Sequence, residues 1–224
     1  MLMILCLSLT ISIYFAAKWV YKKRGKVYYS PLVLAPIVLI LVLIIFNIPY
    51  STYEEGSKWI TALLQPATVA LAIPLYKYYP SLKKFFKEIG FCVLIGSILA
   101  ILISSFLSKL LKLDHSLSAS IIPYSITTPI AMNIASIIGG VPTITAVFVI
   151  LTGIIGMVLG PVIIIQFHLK SDIAKGVLLG ISAHGAGTAK ALEFSTGAGA
   201  IASICMILAA MISFIISPLI PFFI

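Results

Sequence analysis

The sequence predicts an all-α integral membrane protein, and three observations predict it. The 224 residues are 61% apolar and 9% charged, with a mean hydropathy of +1.20, where soluble domains are roughly 45–50% apolar and about 25% charged. Apolar runs follow one another with short charged or proline-marked joints, room for seven or eight spans of about 20 residues. Two stretches are polar and helix-breaking although their surroundings are apolar: Pro123-Tyr124-Ser125-Ile126-Thr127-Thr128-Pro129 and Ser182-Ala183-His184-Gly185-Ala186-Gly187-Thr188-Ala189-Lys190. Lipid does not tolerate irregular backbone unless protein or a wet cavity covers it. Discontinuous helices near 123–129 and 182–190 therefore imply a polar site inside the membrane, as in secondary transporters.

The elements follow in order. Met1 to Ala17 carries no charge, and Lys18, Lys22, Lys23, Arg24 and Lys26 come after it. A secretory leader has its positive charge first, so this order predicts a retained helix over 2–20 entering from outside, with a cleaved peptide as the alternative. Helix two covers 31–49 and enters through Pro31. Helix three covers 59–76, broken near Gln65-Pro66 and near Pro74, and helix four covers 88–108. The interrupted segment 116–140 ends at Gly139-Gly140-Val141-Pro142. An apolar span over 142–168, the interrupted span 173–196 and a last helix over 199–222 complete a single polytopic domain, 1–224.

The net charge of +9 is concentrated, because nine of the fifteen Lys and Arg residues lie in 18–26 and 77–87. Such blocks are cytoplasmic anchors facing anionic lipid, a reading that takes precedence over nucleic-acid binding. Loop 50–58, with Glu54 and Glu55, then lies outside. Segment 116–140 either crosses, giving eight spans, or dips in and returns as a hairpin, which puts Lys170, Lys175 and the C-terminus inside. The hairpin version makes 31–108 and 142–222 a possible inverted repeat.

Chemistry is confined to the two breaks. Proline suits the first helical position and threonine the cap before it, so a half-helix is expected from Pro129 through Asn133 to Ile134. Its free N–H groups and partial positive charge favour a carboxylate, with Ser125, Thr127 and Thr128 close by. A simple proline kink is the alternative. Gly185 and Gly187 allow unusual backbone, and Thr188 is placed to cap a helix from Ala189. His184 is ionisable and intramembrane, hence a functional candidate; a neutral imidazole bridging two helices is the plainer role. Lys190 and Glu193 share a face, so they pair or Lys190 attracts an anion. Gln65, Pro66 and Thr68 form a weaker secondary group. His115 and His168 read as interfacial, and Gly153, Gly156 and Gly160 as a helix-packing stripe. Cys6, Cys92 and Cys205 lie in separate segments with no metal or disulfide spacing. No catalytic residue or metal site is expected, and no cofactor beyond a coupling H+ or Na+.

At these motifs the chain resembles the LrgB/CidB family of bacterial membrane proteins. The resemblance runs through Leu64 to Tyr76, Ser125 to Met132, Gly139-Gly140-Val141-Pro142 and Ala183 to Ala191. It implies a multi-pass protein of the bacterial plasma membrane with a small holin-like LrgA/CidA-type partner, linked to control of murein hydrolases and autolysis. It also implies kinship with carriers of small carboxylates such as pyruvate, glycolate and glycerate. Two positions depart from the pattern: Tyr124 stands where relatives often carry Lys, and Ala198 where they often carry Glu. A charge pair lost jointly would explain both. The sequence thus supports a transporter-like protein for small monocarboxylates (pyruvate, glycolate or lactate), with a homodimer as one option for its assembly, in which His184 binds substrate or carries a proton. The rival is a non-transporting, antiholin-like regulator that docks on a pore through the small-residue face at Gly153, Gly156 and Gly160.

Overall fold

The computed structural model describes residues 2–70 and 72–223. Among them every regular element is helical. The chain divides into two compact units, Met1–Val69 and Ala70–Ile224. Four helices are long and apolar enough to cross a membrane: Ile4–Arg24, Phe86–Leu110, Pro142–Gln166 and Thr196–Phe222.

In the first unit α1 (Leu2–Arg24) packs on α2 (Pro31–Ile45) and α3 (Tyr50–Ala62). The last turn of α1 carries Lys22, Lys23 and Arg24, which complement its exposed carbonyls. Ser30 caps α2, its hydroxyl accepting from the Leu32 N–H, with Pro31 opening the helix. At 15 residues, α2 is about 22 Å long, short of a roughly 30 Å hydrocarbon core. The segment expected as loop 50–58 is instead the start of α3, which follows Pro49 directly. The break expected at Gln65-Pro66 falls at Leu63, and Pro66 sits in the first turn of α4 (Leu64–Ala70), where its missing N–H has no helical partner to lose. The side chains of Gln65 and Thr68 lie outside the described residues. Two short helices, α5 (Ala72–Lys77) and α6 (Tyr79–Lys84), follow.

The second unit is built on α7 (Phe86–Leu110), α10 (Pro142–Gln166) and α12 (Thr196–Ile216). Its buried core includes Ile89, Val93, Ile101, Ile122, Ile126, Ile134, Val149 and Ile204. Between the long helices lie the two interrupted segments, and both turn back instead of crossing.

The first hairpin is α8 (His115–Ile121), a 3₁₀ turn (Ile122–Ser125) and α9 (Thr128–Ile137). Asp114 caps α8, accepting from the Leu117 N–H at 2.9 Å. The helix gives way at Pro123 (φ −79°, ψ 20°), and Ile126 is extended (φ −123°, ψ 177°). The chain then returns far enough that a Cβ on Gly139 would stand 3.4 Å from the His115 ring and one on Gly140 2.7 Å from the Ala119–Ser120 backbone. Gly139 (φ 86°) turns the chain into α10. Ser120 fastens the corner: its hydroxyl accepts from Val141 N–H at 2.7 Å, and its carbonyl accepts from Thr145 Oγ1 at 2.8 Å. Of the two arrangements open for 116–140, this is the hairpin.

The second hairpin is α11 (Asp172–Phe194), broken at His184 (φ 37°, ψ −119°). Straight, its 23 residues would extend about 35 Å. Instead Asp172, at its start, lies against Gly197, beyond its end. Residues 172–183 form one arm and 185–194 the other. Gly187 presses on the Leu179 carbonyl, a place with no room for a Cβ. The expected crossing over 173–196 is therefore also a reversal. Ser195 then caps α12, its hydroxyl accepting from Ala198 N–H at 2.9 Å. Along the first arm Gly176 meets Ala198 and Ile201, and Gly180 meets Ala202, so that arm and α12 run in the same direction.

Candidate functional site

The two hairpin tips arrive at the middle of α10 from opposite ends. Gly160, Gly156 and Gly153 of α10 lie in turn against Leu179, Ala183 and His184, which sets the second hairpin on the C-terminal half of α10. Ser120 holds the first hairpin to Val141 and Thr145, at the N-terminal end. Farther along, Tyr124 shares a cleft of about 290 Å³ with Phe148 and Thr152 of α10 and with Ser104 and Ser108 of α7. The stripe Gly153/Gly156/Gly160 is thus the seat of a hairpin within the chain, where a Cβ on Gly153 would stand 2.9 Å from His184 Cε1.

His184 is the turn of its hairpin and is only 6% exposed. Its φ/ψ values resemble the first central position of a type II′ turn, a place for glycine. The neighbouring glycines do not take this role, because neither Gly185 nor Gly187 has a positive φ. Gly185 is exposed with open space around it, and Gly187 serves close packing. The imidazole has a backbone hydrogen-bonding partner in Val149, while its Nε2 is buried with no partner. Thr188, expected to cap a helix from Ala189, lies inside the second arm and donates from Oγ1 to the His184 carbonyl at 2.9 Å. It secures the turn.

At the first tip the helix starts one residue earlier than expected. Thr127 is the cap residue, without a side-chain cap bond, Thr128 is the first helical residue and Pro129 follows in the first turn. The Thr127 carbonyl already accepts from Ile130 and Ala131, and Pro129 has no N–H, so the N–H of Thr128 is the main donor left at this terminus. Ser125, Thr127, Thr128 and Pro129 are half-buried around the turn. Asn133 is exposed, on the face of α9 away from the core, and drops out of the tip cluster. Lys190 lies six residues from His184 and pairs with Glu193 at 2.6 Å, so the ion pair is realised where an anion anchor was the other possibility. Pro66, with Gln65 and Thr68, belongs to the first unit.

Tyr124 and Ala198 occupy different clusters. Tyr124 lines the cleft at the first tip, whereas Ala198 packs with Ile164, Leu179, Ala191 and Ala202.

Two residues escaped the sequence reading. Ser97 and Ser105 of α7 are 2% and 4% exposed, and their hydroxyls have no partner. The signal was present in the spacing, since Ser97, Ser104, Ser105 and Ser108 share one face of an apolar helix. No group of three or more His, Cys, Asp or Glu able to hold a metal occurs among the described residues.

Apolar helices of membrane length, with two opposed hairpins whose turns meet at a common level of α10, define an all-α integral membrane protein. The chain belongs to the LrgB-like family, which it matches over residues 10–223. It is 50% identical to the uncharacterized protein YwbG of Bacillus subtilis over 215 residues, covering 96% of each chain. It is 36% identical to the holin-like protein CidB of Staphylococcus aureus (strain N315), covering 96% of this chain and 94% of that one. Staphylococcus epidermidis CidB is 35% identical over the same shares. No solved structure matches the chain significantly.

Proposed function

We propose that this protein is a multi-pass carrier of small monocarboxylates, of the pyruvate, glycolate or lactate type, in the bacterial cell membrane. The two hairpins are re-entrant, and substrate binds between their tips. The observation that carries the reading is His184. It holds a backbone conformation natural to glycine, is buried beside a glycine-lined helix, and keeps Nε2 unpaired. Strain of about 1–3 kcal/mol at such a position persists where the side chain has work to do. Thr127, Thr128 and Ser125 supply hydroxyls from the opposite tip, and His184 binds the acid or carries its proton, with H+ or Na+ as coupling ion.

The test is uptake of radiolabelled pyruvate, glycolate and lactate by proteoliposomes of the purified protein. Saturable uptake is expected, and His184→Ala should abolish it while the protein remains monodisperse and thermally folded in detergent. Undiminished uptake by that variant would refute the reading.

The holin-like name of the CidB relatives favours a second reading, in which the chain regulates an LrgA/CidA-type pore and thereby murein hydrolases and autolysis. The glycine stripe that such docking would use is covered by the second hairpin, which weighs against it. Flux that appears only when the partner is co-reconstituted would favour the regulator.

A further inference from the structure

We propose that the serine face of α7 is a third wall of the tip site, and that Ser97 and Ser105 hydrogen-bond the bound monocarboxylate. This rests on the carrier reading above and adds residues to it that neither hairpin contains. Among the described residues, three buried side-chain polar atoms have no hydrogen-bond partner: Ser97 Oγ, Ser105 Oγ and His184 Nε2. All three belong to the second unit. A buried hydroxyl in a helix ordinarily donates to the carbonyl one turn back, and most serines here with a recorded bond do this or its near equivalent. Ser104 Oγ donates to Ala100 O at 2.8 Å, Ser182 Oγ to Leu178 O at 2.6 Å and Ser203 Oγ to Gly199 O at 3.0 Å. Ser97 and Ser105 make no such bond although their Oγ atoms are themselves fully buried, and an unmade buried bond is costly.

Their position follows from their neighbours. Gly96, adjacent to Ser97, lies against Ile181 of the second hairpin, three residues before its turn. Ser104, adjacent to Ser105, lines the cleft with Tyr124 at the first turn. Ser97, Ile101 and Ser105 are spaced four apart, hence on one face. Ile101 between them belongs to the same buried cluster as Ile122 and Ile126 of the first tip. The two unpaired hydroxyls thus bracket the level at which the tips meet. Hydroxyl donors facing a carboxylate make charge-assisted bonds, which are stronger than neutral ones.

Ser203 of α12 provides the control, because its hydroxyl is already satisfied and it stands outside the α7 face. Proteoliposomes carrying Ser97→Ala, Ser105→Ala and Ser203→Ala are compared for glycolate and pyruvate uptake, and each purified variant for its thermal shift with 10-fold steps of the same acids. Loss of a hydrogen bond to a charged group weakens binding roughly tenfold. Ser97→Ala and Ser105→Ala should therefore raise KM about tenfold and shift the ligand-induced stabilisation to correspondingly higher concentration, with Ser203→Ala near wild type. Ser97→Cys, which keeps a weak donor, should fall between.

A purely structural serine predicts the reverse: alanine removes an unsatisfied hydroxyl, so the apo protein gains stability and KM does not move. Unchanged KM in both variants beside active wild type would overturn the serine wall and leave the carrier reading standing. Wild-type liposomes that accumulate none of the acids would bring down both.

Discussion

The two hairpins accomplish the same reversal with different chemistry. The first spreads its turn over several residues, from Pro123 through a 3₁₀ segment to extended Ile126 and the cap at Thr127. The second concentrates its turn on His184 and then relies on Gly187 to bring the returning arm against Leu179. A proline-rich turn distributes its constraints, and single changes in it should be tolerated. A one-residue turn leaves no slack, so the second hairpin should be both the more fragile and the more specialised.

The most damaging change should be Gly187→Ala. Its Cβ would collide with a backbone carbonyl that no rotamer can move, and a loss of about 3 kcal/mol or more is expected, read as a collapse of the melting temperature or of the folded yield. Gly185→Ala, two residues away in open space, should match or exceed wild-type stability because alanine favours helix by about 1 kcal/mol over glycine. Equal effects at both positions would contradict a tightly reversed hairpin.

Next in size is the pair His184→Gly and His184→Ala. Both remove the imidazole and should stop uptake, but glycine relieves the turn and should melt later than alanine by the equivalent of about 1 kcal/mol. If alanine proved the more stable, the positive φ at this residue would be in doubt.

The smallest effects belong to the first hairpin. Thr145→Val removes the hydroxyl that donates to the Ser120 carbonyl, and should cost about 1 kcal/mol in thermal unfolding with uptake retained. A cost as large as that at Gly187 would abolish the contrast between the hairpins.

The legibility of each hairpin in the sequence follows the same contrast. Proline and threonine mark the first turn locally, and the half-helix was anticipated to within one residue, at Thr128 instead of Pro129. In the second, the pair Gly185 and Gly187 suggested a glycine turn, yet the chain bends at the histidine before them. That turn sits against Gly153, which approaches from α10 and leaves no mark on local sequence. The reversal of 173–196 was missed for a related reason: its 23 residues suit a span in length, and only contacts made in the folded chain, Gly187 with Leu179 and Asp172 with Gly197, show that it folds back. Asn133 stands on the exposed face of α9, a placement that polarity near a break does not reveal. Ser97 and Ser105 were overlooked since serine is common in apolar helices and its unpaired state is visible only once neighbours are placed.

One electrical consequence follows from hairpins that meet at a single level of α10. Wherever their mouths are hydrated, the insulating thickness shrinks to the layer between the turns, and most of the membrane voltage falls across that layer. One elementary charge carried past His184 would then exchange about 2.3 kcal/mol with the field for each 100 mV, over a path of a few side chains.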